Sequence, residues 1–482
     1  MVKCREYKNF IAVSTVLFCV ISLSGCALHF DQAPSSEKVS KSAAPKIERY
    51  SGEMSRAISD VYTARKELAI TFNGMGDRKS MEQLLDELDA HHIKATFFLP
   101  GERVAEEPDI AKEILARGHE IENNTLNQVN VQNLSYEQIY KEIQLTNKVI
   151  KEKTGVTPKY VRTKSGEYND DLRLIAAQLG MEGVVKYNIN PQDREIKEAA
   201  AKGSVVEKYM TRGAIISLHE DISPEMISVI SYIAKDADEI GYKFVTLDEL
   251  VKNGGVRKPL EQIPGYDAAK LNPDYKNANY KLTFNVPTDK KEVALTFDDY
   301  GSDRTITKIL DSLKENDVKA TFFLRANGVE RNPNLARAMV EDGHEVANHT
   351  YSHRVITTLT PDELQNEIVK AHQVITEAIQ QQPTMLFRPP TGENDDPTSK
   401  VVAATGYGTI AIFDVDPRDW DSNVSSDEIT KTVMDQVHPG SVILLHMLDD
   451  KHTTEALPGI IKGLKEQGYT FRKLADMIGL KQ

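Results

Sequence analysis

The stretch LTFDDYGSD at residues 295–303 has a counterpart without the paired acids, ITFNGMGD at residues 70–77. Further similar pairs follow in the same order: KATFFLP at 94–100 and KATFFLR at 319–325, ARGHEIENN at 116–124 and EDGHEVANH at 341–349, RTKSGE at 162–167 and RPPTGE at 388–393, and AIISLHEDI at 214–222 and SVILLHMLD at 441–449. The two copies are offset by 225 to 227 residues. Because solenoid units are only about 20–50 residues long, this spacing indicates duplication of a whole domain.

Within the second copy, short β-rich runs alternate with helical stretches. The predicted strands are EVALTF, ATFFL, EVANH, TMLFR, GTIAIFD, SVILLH and YTFRKL. One helix is marked by a capping box at 360–363 with proline at its first position, followed by an apolar stripe at Leu364, Ile368, Ala371, Ile375 and Ile379. Such alternation predicts parallel βα units. We therefore predict an α/β protein with two tandem distorted (β/α) barrels of about seven parallel strands each; an open doubly wound sheet is the alternative.

The N-terminal residues 1–26 read as a lipoprotein signal peptide. A charged start precedes an apolar run that ends in Leu-Ser-Gly-Cys at 23–26, which resembles the bacterial lipobox. Lipidation of Cys26 would anchor the protein to a bacterial membrane; an uncleaved membrane anchor is the alternative. Either reading predicts that the body lies outside the cytoplasm, in the cell envelope.

The rest of the chain divides into four predicted segments. Residues 27–50 are rich in Ser, Ala, Pro and Lys and suit a tether. The first copy spans 51–252 and the second 291–482, with a linker rich in Pro, Gly and Asn at 253–290.

Composition restricts the metal ligands and partners that are possible for the body of the protein, the chain after residue 26. All three cysteines (Cys4, Cys19 and Cys26) lie in the leader, so the body contains neither a disulfide nor a thiolate metal site. Any metal ion must be bound by histidines and carboxylates. The net charge of −13 and the lack of a basic run argue against a nucleic-acid partner.

In the second copy, polar side chains collect at the ends of the predicted strands. They are Asp298 and Asp299, His349, Arg388, the stretch 416–420 and His446. In a parallel barrel these strand ends open on one face, where active sites lie. A lone HxxxH or a lone acid pair is a weak signal, since paired acids also occur in turns and helix caps. Their coincidence on one face predicts a functional site.

The pattern HTYSH at 349–353 spaces two histidines by four residues. On a helical turn both imidazoles would lie on the same side, whereas on an extended strand they would be ~13 Å apart. Two imidazoles and one carboxylate form a three-ligand metal site that leaves a position open for water. Of the paired acids, one can then bind the metal ion while the other remains free as a base.

These stretches together resemble a known family. TFDD at 296–299, HTYSH at 349–353, RPPTG at 388–392, DPRDW at 416–420 and LLH at 444–446 look like the ordered motifs of the polysaccharide deacetylase family, with the NodB-homology fold of carbohydrate esterase family four. The resemblance covers about residues 290–475. It implies metal-dependent removal of acetyl groups from a glycan.

The resemblance also implies a role for each matching residue. The metal ligands would be Asp299, His349 and His353, and the ion is usually Zn²⁺, with Co²⁺, Mn²⁺ or Ni²⁺ as alternatives. The catalytic groups would be Asp298 as base, His446 as acid, Arg388 holding Asp298, and Asp419 orienting His446. The substrate pocket would use Trp420, Leu444 and the backbone N–H of Thr391. Tyr300 departs from the family, in which Gly often follows the paired acids.

The first copy lacks the metal ligands and the base. Asn73, Gly74, Asn124 and Gln128 stand where the second copy has Asp298, Asp299, His349 and His353. The remaining positions keep Arg162, Asp193 and His219, while Arg194 replaces the tryptophan. We expect this domain to be inactive; it could bind glycan, lift the second domain off the membrane, or pack against it. His119 and His344 recur in both copies and are interpreted as structural.

The expected function is hydrolysis of N-acetyl groups on an extracytoplasmic, GlcNAc-containing polysaccharide, such as peptidoglycan, chitooligosaccharide or poly-N-acetylglucosamine. An O-acetyl esterase acting on a glycan such as acetylxylan is one alternative. A non-catalytic glycan-binding lipoprotein is another. The expected partners are the acetylated polysaccharide and, through Cys26, the membrane.

Overall fold

The computed structural model describes residues 47–191, 195–219 and 224–480. The predicted signal peptide with Cys26, most of the predicted tether, and Asp193 and Arg194 lie outside the described residues. Among the residues that are described, no helix combines the length and the apolar character needed to cross a bilayer. The described residues of both copies, from Arg49 onward, belong to one compact unit.

The first domain alternates strands and helices. Its strands are β1 (Arg56–Ile58), β2 (Glu67–Asn73), β3 (Thr96–Leu99), β4 (Glu120–Asn123), β5 (Tyr160–Val161), β6 (Gly183–Val185), β7 (Ile215–His219) and β8 (Lys243–Phe244). Its helices are α1 (Arg78–Ala90), α2 (Gly101–Glu106), α3 (Pro108–Ala116), α4 (Tyr136–Thr154), α5 (Asp170–Gln178), α6 (Ala199–Tyr209), α7 (Pro224–Glu239) and α8 (Leu247–Asn253).

The second domain repeats this order. Its strands are β9 (Lys281–Thr283), β10 (Glu292–Asp299), β11 (Thr321–Leu324), β12 (Glu345–Asn348), β13 (Leu386–Phe387), β14 (Thr409–Ala411), β15 (Val442–His446) and β16 (Thr470–Phe471). Its helices are α9 (Asp303–Glu315), α10 (Ala326–Arg331), α11 (Pro333–Glu341), α12 (Pro361–Ile379), α13 (Asp396–Ala404), α14 (Ser426–Gln436), α15 (Thr453–Glu466) and α16 (Leu474–Ile478).

The two sheets have the same topology. The strand order is β1-β6-β5-β4-β3-β2-β7 in the first domain and β15-β10-β11-β12-β13-β14-β9 in the second, and β8 and β16 pair with β2 and β10. Every ladder is parallel. In the described part of the second domain, isolated bridges at Asn285–Ser441 and Val415–Ile443 connect the two sheet ends. The prediction of tandem distorted (β/α) barrels is confirmed.

The strand β9 lies inside the segment 253–290, which was predicted as a linker. It pairs in parallel with β14, from Lys281 beside Thr409 to Thr283 beside Ala411. Upstream, Ile263 and Ala269 are buried. This segment therefore docks on the second barrel over part of its length and adds a strand to those predicted.

The helix α12 shows how local sequence produces these elements. The Thr360 hydroxyl accepts the N–H of Glu363, whose carboxylate accepts the N–H of Thr360 in return, and Pro361 occupies the first turn. The whole predicted apolar stripe is buried against the sheet and its neighbours. The capping box therefore sets the start of α12, and the stripe sets the face that packs.

The same arrangement of three rings is present in both barrels. Phe297 and Phe322 stack with centroids 5.1 Å apart, and His344 meets Phe322 edge-on at 5.3 Å. The Nδ1 of His344 accepts the N–H of Ala320, and burial lowers the pKa of His344 to about 3. The same contacts recur in the first domain at Phe72, Phe97 and His119. These histidines are therefore structural, as predicted.

Candidate active site

The carboxyl end of β10 places both predicted acids at the mouth of the second barrel. The register pairs Asp298 with His446 on β15 and Asp299 with Leu324 on β11. Both acids are buried. The strand pairing alone therefore brings a carboxylate of β10 next to an imidazole of β15, although 148 residues separate them in the chain.

The two histidines of HTYSH are joined by a tight turn. The expected helical turn is not formed: Thr350 and His353 have φ angles of 63° and 64°, in the left-handed region. The Asn348 side-chain oxygen accepts the N–H of Thr350 at 2.9 Å and stabilises this turn. The rings of His349 and His353 lie 4.9 Å apart between centroids. The expected proximity is confirmed, but left-handed residues rather than a helix produce it.

These histidines and Asp299 have the arrangement of a metal site. One ligand atom from each of the three residues lies within 4.8 Å of the others. The Nδ1 of His349 lies 2.8 Å from the carbonyl oxygen of Arg388, so this nitrogen donates to that oxygen and Nε2 stays free as a ligand. Burial lowers the pKa of His349 to about 3, which keeps its imidazole neutral. Two imidazoles and one carboxylate fit a divalent transition-metal ion.

The candidate ligand Asp299 has a strained backbone. Its φ angle is 77°, in the left-handed region that residues other than glycine enter uncommonly. Arg325 lies beside it, with Nη1 3.8 Å from Asp299 Oδ1 and Nη2 donating to the carbonyl of Tyr300 at 3.2 Å. Arg325 was not predicted as a site residue. The one indication in the sequence is the difference between the two copies, because the first has Pro100 at this position of the same motif.

The second acid, Asp298, is held by a buried guanidinium. Arg388 Nη1 donates to Asp298 Oδ1 at 2.7 Å and to the hydroxyl of Thr296 at 2.8 Å, and Nη2 donates to the carbonyl of Ile412. Burial raises the pKa of Asp298, and the positive charge of Arg388 opposes that rise. A carboxylate with a raised pKa, fixed in orientation, is suited to accept a proton from water.

On the other side of the pocket, His446 is coupled to Asp419. The Nδ1 of His446 lies 2.7 Å from Asp419 Oδ1, and its backbone N–H donates to Oδ2 at 2.7 Å. The Thr453 hydroxyl donates to the same Oδ2 at 2.6 Å. Burial alone would lower the pKa of His446, but the hydrogen bond and charge of Asp419 and the other nearby carboxylates raise it to about 9. This histidine is therefore suited to donate a proton.

These groups surround one pocket of about 450 Å³. Eight of the ten residues that were given a role at this site from the sequence line it: Asp298, Asp299, His349, His353, Thr391, Trp420, Leu444 and His446. Arg388 and Asp419 lie behind it, fully buried. Phe413 and Leu448 also line the pocket and were missed, since they read as ordinary apolar residues of a strand end and a loop.

The corresponding site of the first domain keeps the backbone conformation but lacks the candidate metal ligands and base. Gly74, Thr125 and Gln128 have φ angles of 95°, 63° and 51°, as the turns of the second domain do. The side-chain nitrogen of Asn124 donates to the carbonyl of Arg162 at 2.8 Å, which mirrors the contact made by His349. In the described residues, the three-ligand cluster occurs in the second domain alone.

The buried arginine of the first domain faces an amide where the arginine of the second domain faces a carboxylate. Arg162 is fully buried, and it donates to the Thr71 hydroxyl at 2.7 Å and to the Asn73 side-chain oxygen at 3.4 Å. Burial lowers its pKa to about 9. The guanidinium is thus held by neutral acceptors where the second domain supplies an anion.

A family model described as Polysaccharide deacetylase matches this chain twice, at residues 60–184 and 285–410. This chain belongs to the polysaccharide deacetylase family. The two matches fall on the two copies, so the family assignment and the tandem organisation that the motifs predicted are both confirmed. Of the two deacetylase-type domains, the second alone has the acid pair and the histidine pair.

Individual relatives of the deacetylase family resemble part of the chain. A peptidoglycan-N-acetylglucosamine deacetylase from Bacillus cereus is 40% identical over 202 residues, which are 41% of this chain and 72% of that protein. The peptidoglycan-N-acetylmuramic acid deacetylase PdaA from Bacillus subtilis is 32% identical over 199 residues, or 40% of this chain and 74% of its own length. The Bc1960 peptidoglycan N-acetylglucosamine deacetylase, known from a crystal structure, is 37% identical in sequence to the matched part of this chain, with a TM-score of 0.39. The match covers 41% of this chain and 92% of that protein's chain.

Proposed function

We propose that the second domain hydrolyses N-acetyl groups of a GlcNAc-containing polysaccharide outside the cytoplasm, with peptidoglycan as the first candidate. One observation carries this proposal. The ligand atoms of Asp299, His349 and His353 cluster within 4.8 Å of one another. Around the same pocket stand a carboxylate held by an arginine and an imidazole held by a carboxylate. The names of the similar proteins support peptidoglycan as substrate.

The metal ion that the three ligands would bind is Zn²⁺ in this proposal, with Co²⁺, Mn²⁺ and Ni²⁺ as alternatives. When bound, a divalent cation supplies a Lewis acid for the amide carbonyl and for a water molecule. His349 takes part through Nε2, because its Nδ1 is committed to the carbonyl of Arg388.

The chain's own residues move the protons. Asp298 takes a proton from the attacking water, and Arg388 holds the carboxylate in the orientation that this transfer needs. The water oxygen bonds to the acetyl carbon and the carbon–nitrogen bond breaks. His446 donates its proton to the departing nitrogen, while Asp419 keeps the imidazole protonated and oriented. The products are acetate and a free amine on the sugar.

The remaining pocket residues bind and orient the acetyl group. Leu444 and Trp420, a residue that is 43% exposed, line the pocket and would contact the acetyl methyl. Thr391 lies in the tight turn Pro390–Gly392 with a φ angle of 62°. In this proposal its backbone N–H stabilises the negative charge that develops on the carbonyl oxygen.

The proposed location is the cell envelope, with the protein attached to a bacterial membrane through a lipid at Cys26. This part rests on the lipobox-like stretch at 23–26 and on the peptidoglycan substrates of the similar proteins. The first domain is proposed to be catalytically inactive, because Asn73 and Gly74 replace the base and one metal ligand.

The test is acetate and amine release by the metal-free protein with and without added Zn²⁺. The substrates are N-acetylated peptidoglycan, chitooligosaccharide and poly-N-acetylglucosamine, with acetylxylan as the O-acetylated comparison. We expect equal amounts of acetate and new amine from at least one N-acetylated glycan, and only with metal. Acetate from acetylxylan without amine release elsewhere would assign an O-acetyl esterase. Glycan binding without any acetate would indicate an inert lectin-like protein.

A further inference from the structure

The two domains are joined by a buried ion pair. Arg212, just after α6 of the first domain, donates from Nη1 to Oδ1 of Asp303, the first residue of α9, at 2.8 Å. Their side chains are 3% and 1% exposed. The Tyr242 hydroxyl, also from the first domain, donates to the same oxygen at 2.6 Å. Because an unpaired buried charge is very unfavourable, this contact fixes the position of Asp303 against the first domain.

From Asp303 the hydrogen bonds continue toward the active site. Asn332 donates from Nδ2 to Asp303 Oδ2 at 3.2 Å, and its side-chain oxygen accepts the hydroxyl of Thr211 at 2.6 Å. The backbone carbonyl of Asn332 accepts the hydroxyl of Tyr300 at 2.6 Å. Tyr300 follows the metal ligand Asp299 directly in the chain. Three residues of the first domain are thus linked, through Asp303 and Asn332, to the neighbour of a metal ligand.

The loop that receives these contacts is strained and tightly packed. Asp299 has a left-handed φ of 77°, and such a conformation persists only when its surroundings hold it. Gly301 lies against the end of β15, where an added Cβ would be 2.3 Å from the carbonyl oxygen of Met447. Tyr300 is 4% exposed and packs on Gly328, where an added Cβ would be 2.7 Å from the Cβ of Tyr300.

The repeat provides an internal comparison. In the first copy, Met75 stands at the position of Tyr300 and Arg78 at that of Asp303. Neither can make the contacts described above. In the first copy Gly74, which adopts positive φ angles readily, replaces Asp299. The anchoring residues therefore accompany the strained metal ligand and are missing where that ligand is missing.

We propose that the inactive first domain positions the metal ligand Asp299 of the second domain, with Arg212, Asp303 and Tyr300 as the positioning residues. This inference rests on the proposed function, in which Asp299 binds the metal ion. It assigns the first domain a role as an integral support of the metal site. The loop after β10 is then held from both sides, by the sheet and by the neighbouring domain.

The test compares the Zn²⁺ affinity of full-length variants by titration calorimetry on metal-free protein. Tyr300→Phe removes only the hydroxyl at one end of the hydrogen-bond network. Arg212→Lys replaces the guanidinium at the other end with a shorter side chain of the same charge. We expect the Kd for Zn²⁺ to rise about tenfold in each, the size of effect that outer-shell partners of metal ligands show. The melting temperature of metal-free Tyr300→Phe should stay within a few degrees of the wild type.

Lys66→Met is the control, because it removes another, more exposed contact between the same domains. Lys66 donates to both carboxylate oxygens of Asp311, at 2.7 and 2.6 Å, and Asp311 lies two turns further along α9 than Asp303. We expect this variant to bind Zn²⁺ as the wild type does. Equal weakening in the control would show general loosening of the interface and would overturn the inference.

Failure of the inference and failure of the proposed function give different results. If wild type and Asp299→Asn both fail to bind Zn²⁺, the metal site itself is wrong. If the wild type binds it, Asp299→Asn does not, and both Tyr300→Phe and Arg212→Lys keep the wild-type affinity, the metal site stands and the positioning role is refuted. Should Arg212→Lys not fold, Tyr242→Phe takes its place, because it removes only the first-domain hydroxyl that donates to Asp303.

Discussion

Arg388 donates to Asp298 at 2.7 Å, and the corresponding Arg162 contacts the amide oxygen of Asn73 at 3.4 Å. Both arginines are fully buried and both face an aromatic ring, Phe323 or Phe98, at 4.1 Å. The chain thus contains the same buried guanidinium with and without its anion. This comparison shows that the fold tolerates the neutral partner, and it makes the following substitutions informative.

Asp298→Asn should fold and bind metal but lose most of its activity. The Asn73–Arg162 contact shows that this position accepts an amide. The amide cannot accept a proton from water, so we expect kcat to fall about 10²–10⁴-fold. Acetate release and the metal content of the purified variant are the measurements. Retention of the full rate would remove Asp298 from the mechanism.

Asn73→Asp should stabilise the first domain. The new carboxylate would pair with Arg162, whose pKa burial lowers to about 9 in the absence of an anion. A hydrogen bond to a charged group contributes about 1.5–3 kcal/mol, so the free energy of unfolding should rise by up to that amount. Urea unfolding measures it, with Asn277→Asp as an exposed control of the same charge change. A decrease in stability would show that desolvation of the carboxylate outweighs the pair.

His349→Asn should preserve the fold and abolish tight metal binding. In the first domain Asn124 already makes the hydrogen bond to the arginine carbonyl that His349 makes in the second, at the same 2.8 Å. The variant keeps this contact but loses the Nε2 ligand. We expect the Kd for Zn²⁺ to rise at least 100-fold with little change in the metal-free melting temperature. Unchanged affinity would mean that the ion binds elsewhere.

Asp419→Asn should shift the alkaline limb of the pH–rate profile to lower pH. The carboxylate of Asp419 helps to raise the pKa of His446 to about 9. An acid donates only while protonated, so a lower pKa makes activity disappear at a lower pH. The measurement is kcat against pH for wild type and variant. An alkaline limb that does not move would assign that limb to another group.

Much of the architecture was predictable because patterns in the sequence indicate it directly. Local spacing of residue types indicated the alternation of strands and helices and the capping box at Thr360, and comparison of the two copies indicated the tandem domains. The convergence of Asp298, His349 and His446 followed from parallel strands whose ends share one face. These predictions required only periodicity and topology.

Other features depend on tertiary contacts that leave no local pattern. Thr350 is a β-branched residue with a left-handed φ angle, which such residues rarely adopt, so the sequence did not indicate this turn. Arg325 looks like a surface residue until Asp299 is placed beside it. The pair Arg212–Asp303 joins positions 91 residues apart on different domains, so the role of the first domain stayed open at the level of sequence.

The most direct test of the metal-dependent mechanism is the stoichiometry of its reactivation. Metal-free protein is titrated with Zn²⁺ while amine release from an N-acetylated glycan is followed. We expect activity to rise linearly and to reach its maximum at one Zn²⁺ per chain. Full activity without metal, or a maximum that requires two ions per chain, would contradict a single three-ligand site in the second domain.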